Sequence, residues 1–488
     1  MREVLRRAVR AASAPISFIL RTSGLVDMRK GKEVFDLAVP VMITGGLRTL
    51  VRVIDYFMIS IALGSAAVAA LEFGYQYHML ALGFGLALSG GTISVVSRCI
   101  GADRSDRADL ALKQSLWLTV LISTPMMVAT WVWAPTLVGL LTNDEHAIEL
   151  GSIYLRIIML STPFHIWALI GSRALAGTGD TKTPMYIRST SLPANTVINA
   201  VLIFGLGPFP ALGVAGAAIG TTIANVLQAS IFMVVFLSGR FGVQLRIGGR
   251  QFDLSLVHEI VRVSAPLAGT RIAQTGARFP FLFILGTLGT TVVAAYAIGR
   301  RIMALAMTPS WGYATAASTL VGQSIGKDDE AEATAYLWES VKVALITQLS
   351  LAALVIIAAE QLAVLFDAEN VSLTVEFIYV FGIGIVGFSL GRTLEGTLRG
   401  AGDTTFPFYG SMIGNYLIRI PVGALALPAG LAVGVAPFVV SPGYGIGLVA
   451  VYVAILGDIY ARAGINLVRV KSGQWMDIGR AGLTQLDV

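Results

Sequence analysis

The chain has 488 residues, of which 55% are hydrophobic and only 13% charged, with a formal net charge of +6. A soluble protein carries about 25% charged residues, so this composition, with a mean hydropathy of +0.75, describes a polytopic membrane protein. A single cysteine, Cys99, excludes a disulfide framework and a cysteine-held metal, and there is no Cys-x-x-Cys, His-Glu-x-x-His or phosphate-loop pattern.

In chain order, residues 1–33 begin with arginines and hold a short apolar run broken by Pro15. They read as a cytoplasmic basic extension lying on the membrane surface. The next stretch, 34–62, is longer than the about 20 apolar residues that cross a bilayer. Yet it contains Pro40, Arg48, Arg52 and Asp55. The proline removes a ladder hydrogen bond and is expected to bend the helix, as a hinge. Arg48, Arg52 and Asp55 stand at i, i+4 and i+7 and share one helical face. Charges at membrane depth are costly, so that face must look into protein or water.

Further apolar runs predict spans near 66–97, 111–134, 148–171, 184–206, 212–238, 258–287, 291–322, 338–362, 371–395, 407–431 and 443–468, giving twelve in all. With both termini in the cytoplasm, the outer connections hold no Lys or Arg, and acids such as Asp144, Glu145, Asp367 and Glu369 lie there. The positive-inside rule expects this split. It also removes any single basic face for nucleic acid, which is not expected as a partner.

The two halves repeat at an offset of about 225 residues. LAVPVMITGGLRTLVR matches VSAPLAGTRIAQTGAR, pairing Pro40 with Pro266 and Arg52 with Arg278, and the loops around Asp180 and Asp403 also match. Six spans per half make a parallel repeat, whose architecture puts a cavity between two rocking bundles. The expected fold is an all-α integral membrane protein of twelve transmembrane helices in two pseudo-symmetric six-helix bundles around a central cleft. Residues 34–238 and 258–470 form the bundles, with a cytoplasmic linker at 239–257 and a cytoplasmic tail at 471–488.

These features resemble the multidrug and toxic-compound extrusion family of secondary transporters. The matching pieces are Pro40 with Asp55 fifteen residues on, Ile100-Gly-Ala-Asp103 and Ile325-Gly-Lys-Asp328, and the Gly-Asp-Thr-x-x-Pro loops ending at Pro184 and Pro407. The Asn199 region and Gly213 to Ala224 also fit, and the likeness runs from about residue 30 to 475. The resemblance implies export of amphipathic, often cationic, compounds in exchange for protons or sodium ions, with no cofactor and no enzymatic step. A lipid or lipid-linked sugar flippase of the same superfamily is the alternative. A membrane-embedded transferase would need clustered aspartates, and the only adjacent pair, Asp328–Asp329, falls in a loop.

By the same resemblance, Asp55 corresponds to the acid that binds the coupling ion in one prokaryotic branch. Burial disfavours its charged form and a neighbouring guanidinium favours it, which suits a group that takes up and releases a proton. A permanent ion pair with Arg52 or Arg48 is the competing structural reading. That branch has a second acid four residues after the asparagine, where this chain has Ile203. A sodium ion, which wants several hard oxygens, would be left with Asp55, Asn199 and a hydroxyl of Thr221 or Thr222. The balance leans to a proton. Arg271 and Arg278 replace the central acids of the other bacterial branch. Arg48, Arg52, Arg271 and Arg278 are expected at the substrate cleft, with Met42 and Phe57 as adaptable apolar lining. The remaining expected partners are a small amphipathic substrate and the bilayer, with the chain acting as a monomer. The two aspartates of the Gly-Asp-Thr-x-x-Pro loops are expected to cap the helices that follow.

Overall fold

In the computed structural model, residues 26–431, 433–435 and 438–484 are described. Most of the expected basic extension therefore lies outside the described residues. The chain is twelve transmembrane helices in two six-helix bundles. The first six passages are α1 (Met28–Leu63), α2 (Ser65–Gly101), α3 (Ser105–Gly139), the pair α4 (Glu145–Leu160) and α5 (Thr162–Gly177), α6 (Lys182–Phe204) and α7 (Gly213–Leu237). The second six are the pair α8 (Leu254–Gly276) and α9 (Arg278–Leu288), the pair α10 (Thr290–Ala306) and α11 (Thr308–Gly326), α12 (Glu330–Ile357) with the short α13 (Ala359–Leu365), and α14 (Val371–Gly400). They end with α15 (Thr405–Met412), which runs through a π-helical turn at Ile413–Arg419 into α16 (Ile420–Ala424), and with α17 (Leu448–Lys471). A three-residue hairpin, β1 (Val433–Val435) with β2 (Phe438–Val440), joins the last two passages. The tail forms α18 (Gln474–Thr484).

Contacts group the described chain into two compact units, one built on Pro40–Ala268 and the other on Gly269–Ala481 with the residues before Pro40. The change of unit falls at Pro40 inside α1 and within a turn after Pro266 inside α8. The start of α1 packs in the C-terminal unit, where the Tyr336 hydroxyl donates to Glu33 and the Asp27 amide donates to Glu339 at 3.0 Å.

Local chemistry explains several element ends. Asp103 and Asp328, in the two Ile-Gly-x-Asp motifs, both take positive φ (56° and 57°) just past α2 and α11. The following amides, of Arg104 and Asp329, return to the carbonyls of Cys99 and Ser324 at 2.9 and 3.0 Å, closing both helices in the same way. The two Gly-Asp-Thr-x-x-Pro loops share a left-handed glycine, Gly179 (φ 92°) and Gly402 (φ 83°). Their aspartates diverge. Asp180 caps α6 through the amides of Lys182 and Thr183 at 3.1 and 2.9 Å. Asp403 instead binds the Arg469 guanidinium at 2.6 Å, so the capping expectation fails in the second half because a buried cation competes for the carboxylate.

Pro40 lies inside an unbroken 36-residue helix. The carbonyl of Pro40 accepts the Thr44 hydroxyl at 2.7 Å. The sharp bends fall elsewhere: 45° between α4 and α5 and 41° between α10 and α11. Each precedes a Thr-Pro step, Thr162-Pro163 and Thr308-Pro309, with proline in the first turn of the second helix. Proline there disfavours continuation of the preceding helix, so the chain turns and restarts.

The linker is not loose. Lys113 and Gln114 of α3 donate to the carbonyls of Gly248 and Gln251 at 3.2 and 2.6 Å, and the Gln244 amide donates to Asp109 at 2.7 Å. Asp253 caps α8 through the amides of Ser255 and Leu256 and pairs with Arg107 at 2.5 Å. Deeper in the same unit, Arg98 of α2 meets Glu259 of α8 at 2.7 Å with both side chains fully buried, and Arg262 joins Glu259 at 2.7 Å. Removing one partner of such a pair would strand a buried charge.

Candidate functional site

The site grows from the charged face of α1. Asp55 points to α6, where the Asn199 amide donates to it at 3.0 Å. Asn199 is fully buried. Its Nδ2 is also 3.4 Å from Asn195 Oδ1 and 3.5 Å from the Thr221 hydroxyl of α7. Asn195 in turn donates to Thr221 at 3.4 Å. The cluster is tight because α7 presents Gly220 here: a Cβ at that position would stand 2.1 Å from Asn199 Oδ1. Among the described residues that oxygen itself has no hydrogen-bond partner. Ile203, one turn after Asn199, is buried in the apolar core of the unit.

These groups edge a cavity of about 140 Å³ within the N-terminal unit. Arg48, Arg52 and Arg188 line it together with Asp55, as do Tyr75, His78 and His165. Among the described residues Asp55 has no cation within ion-pair distance. Arg52 turns away from it to the Tyr75 hydroxyl at 2.5 Å and lies over that ring. The permanent ion pair weighed from sequence is therefore replaced by a neutral amide contact. Glu72 accepts the Tyr56 hydroxyl, and His78 meets the Thr162 hydroxyl at 3.1 Å.

The remaining expected residues disperse. The Thr222 hydroxyl donates to its own helix at Ala218 (2.8 Å) and to Ile157 (3.2 Å), and the residue does not line the cavity. Met42 and Phe57 are also absent from the lining, and Phe57 is 64% exposed on the apolar side of α1. Arg271 and Arg278 belong to the C-terminal unit. Arg271 lines a cavity there, whereas Arg278 is exposed at the start of α9. Sequence reasoning missed Arg188 and Asn195. Arg188, Asn195 and Asn199 stand at i, i+7 and i+11, one helical stripe, and that spacing was the available signal. Among the described residues no group of three His, Cys, Asp or Glu side chains is arranged to hold a metal ion.

The sequence profile of the MatE family matches residues 40–201 and again 266–425, so both matches begin at the prolines that the internal repeat pairs. The chain belongs to the MatE family. MatE members are membrane transporters, and this one is a multi-pass membrane protein of that kind. A probable multidrug resistance protein NorM of Thermotoga maritima is 26% identical over 449 residues, 91% of this chain and 93% of that protein. An FAD transporter of Shewanella oneidensis is 24% identical, covering 71% of this chain and 76% of its own length. A crystal structure of MATE in the bent conformation superposes with a TM-score of 0.82 at 20% identity, covering 93% of this chain and 97% of that one. This likeness shows that the two chains share a fold.

Proposed function

We propose that this MatE protein exports small amphipathic compounds in exchange for a cation, with Asp55 as the residue that the cation occupies. The observation that carries the reading is a carboxylate on a cavity wall, held by one neutral amide and, among the described residues, by no cation. A carboxylate so placed can gain and lose an ion without first breaking a salt bridge. The proton is the favoured ion. The hydrogen bond that Asp55 accepts comes from an N–H donor, and the neutral oxygens grouped at Asn199 (its own Oδ1, Asn195 Oδ1 and the Thr221 hydroxyl) bring no second negative charge for a sodium shell. Protonation removes the charge that the Asn199 amide holds, and this release is the event coupled to the movement of cargo.

Alternating access between the two bundles follows as the transport cycle. Pro40 and Pro266 are its hinges, a role supported by their position at or beside the places where α1 and α8 pass from one compact unit to the other. A proline without its ladder bond lets a helix bend there at low cost. The charge pattern of the connections supports cytoplasmic termini, and the working unit is a monomer. The multidrug-resistance relative favours small compounds over lipid-linked sugars as cargo. Three guanidiniums against one carboxylate in the cavity move the preferred cargo from cationic towards zwitterionic or anionic amphiphiles.

The test is export from proteoliposomes under separately imposed proton and sodium gradients. An inward proton gradient is expected to drive export and a sodium gradient to leave it at background. Export driven by sodium alone would overturn the ion assignment.

A further inference from the structure

The C-terminal unit contains a second cavity, of about 180 Å³, that the proposed exchange at Asp55 does not use. It is lined from α8 by Arg271 and Gln274, from α11 by Trp311, from α14 by Arg392 and Glu395, and from α17 by Arg462. Two of its three guanidiniums are already matched. Arg392 holds Glu395 at 2.5 Å, and Arg462 holds the buried Asp458. Arg271 is not matched: among the described residues it makes no hydrogen bond or ion pair, and its one close polar-aromatic contact is the Trp311 ring at 5.3 Å. Arg392 lies over the same ring at 3.7 Å and is nine-tenths buried, and its Nε has no hydrogen-bond partner.

An unmatched guanidinium at membrane depth is costly. Beside it stand an orphaned Arg392 N–H and an indole, within a space large enough for a small ring or an oxyanion. We infer that this cavity is a binding site for an oxyanion, a carboxylate or a phosphate, carried on an apolar or aromatic body. The Arg271 fork takes two of the oxygens, as guanidinium does with carboxylate and phosphate. Trp311, Met307 and Phe388 give the body an apolar wall. Glu395 stays with Arg392 and sets the polarity of that side, so a cation placed here would meet Arg271 without a free carboxylate.

The site takes its anion from one of two sources, a free amphiphile or the phosphate of an anionic lipid. Binding is read by calorimetry on the full chain in nanodiscs, with 1-naphthoate as probe and 1-naphthylmethylamine, its cationic counterpart, as control. In phosphatidylcholine discs the naphthoate is expected to bind saturably and the amine not to bind at this site. Arg271→Gln is expected to weaken naphthoate by at least about tenfold, the scale of a lost charged hydrogen bond, and Arg271→Lys by much less. Trp311→Leu, which leaves every charge in place, gives a second loss should Arg271→Gln prove unstable. Discs containing phosphatidylglycerol separate the sources: suppressed naphthoate binding assigns the site to a lipid phosphate, and unchanged binding assigns it to a free anion. Equal binding by the chain and both variants, or binding of the amine with the same dependence on Arg271, would overturn the inference. So would no saturable naphthoate binding in either disc.

Discussion

Gly220→Ala tests the cluster around Asp55 without touching any polar group. The added methyl would stand 2.1 Å from Asn199 Oδ1, 3.1 Å from the Asn199 backbone nitrogen and 3.2 Å from its Cγ. The backbone nitrogen must give by a few tenths of an ångström and the side-chain amide must rotate, and rotation takes Nδ2 away from the carboxylate it holds at 3.0 Å. Overpacking of this kind costs about 1–3 kcal/mol of stability. Loss of a hydrogen bond to a charged group costs about 1.5–3 kcal/mol, or about tenfold to a hundredfold in any step that depends on it. Proton-driven export by Gly220→Ala should therefore fall about tenfold or more, matching Asn199→Ala. Combining the two removes the clash: thermal stability in detergent should recover towards that of Asn199→Ala while export stays low. Export by Gly220→Ala within about twofold of the unmodified chain would refute the role given to the Asn199 amide.

Thr222→Val should leave export within about twofold, because its hydroxyl donates to the carbonyls of Ala218 in its own helix and of Ile157 in α4 and not to the Asp55 cluster. A loss as large as that of Asn199→Ala would return Thr222 to the ion site. The two loop aspartates should separate by melting temperature. Asp180→Ala loses a cap worth about 1 kcal/mol, whereas Asp403→Ala strands the buried Arg469 and costs about 3–5 kcal/mol. Equal losses would contradict the divergent roles. In the linker, burial opposes ionisation of Asp253, but the Ser255 hydroxyl, the Leu256 amide and then Arg250 and Arg107 outweigh it and hold the carboxyl below its usual range. A depressed carboxyl stabilises the fold above its ordinary value of about 3.9 and loses that contribution as pH falls through the folded value. The protection factors of the amides in residues 239–257 should therefore hold at neutral pH and fall only in acid, and Asp253→Asn should lower them at neutral pH. Protection that is unchanged by the substitution would sink this account.

Hydropathy and the internal repeat together were enough to read an all-helical membrane fold of twelve passages, because long apolar stretches have few other uses. The repeat was legible for a related reason: the Ile-Gly-x-Asp and Gly-Asp-Thr-x-x-Pro motifs need left-handed turns, and few residues supply them. Partners were harder to read. Nothing local tells whether Asp180 and Asp403 meet an amide or an arginine, since Arg469 lies 66 residues beyond Asp403. Thr221 and Thr222 are adjacent, and only the rotation of α7 decides which hydroxyl reaches Asn195. Arg188 looked like one more basic residue near an inner loop. It is buried in the cavity because the start of α6 runs into the bundle interior. The bends at Ser161 and Met307 fall at Thr-Pro steps that the sequence reading passed over, whereas Pro40, the more conspicuous proline, sits in a continuous helix.

The most direct measurement is proton movement on addition of cargo to proteoliposomes carrying Asp55→Asn, followed with a pH-sensitive dye in the lumen. The unmodified chain should exchange protons for cargo, and the amide variant, equally abundant in the membrane, should move none. Proton exchange of the same size in Asp55→Asn would show that the coupling ion sits on another residue.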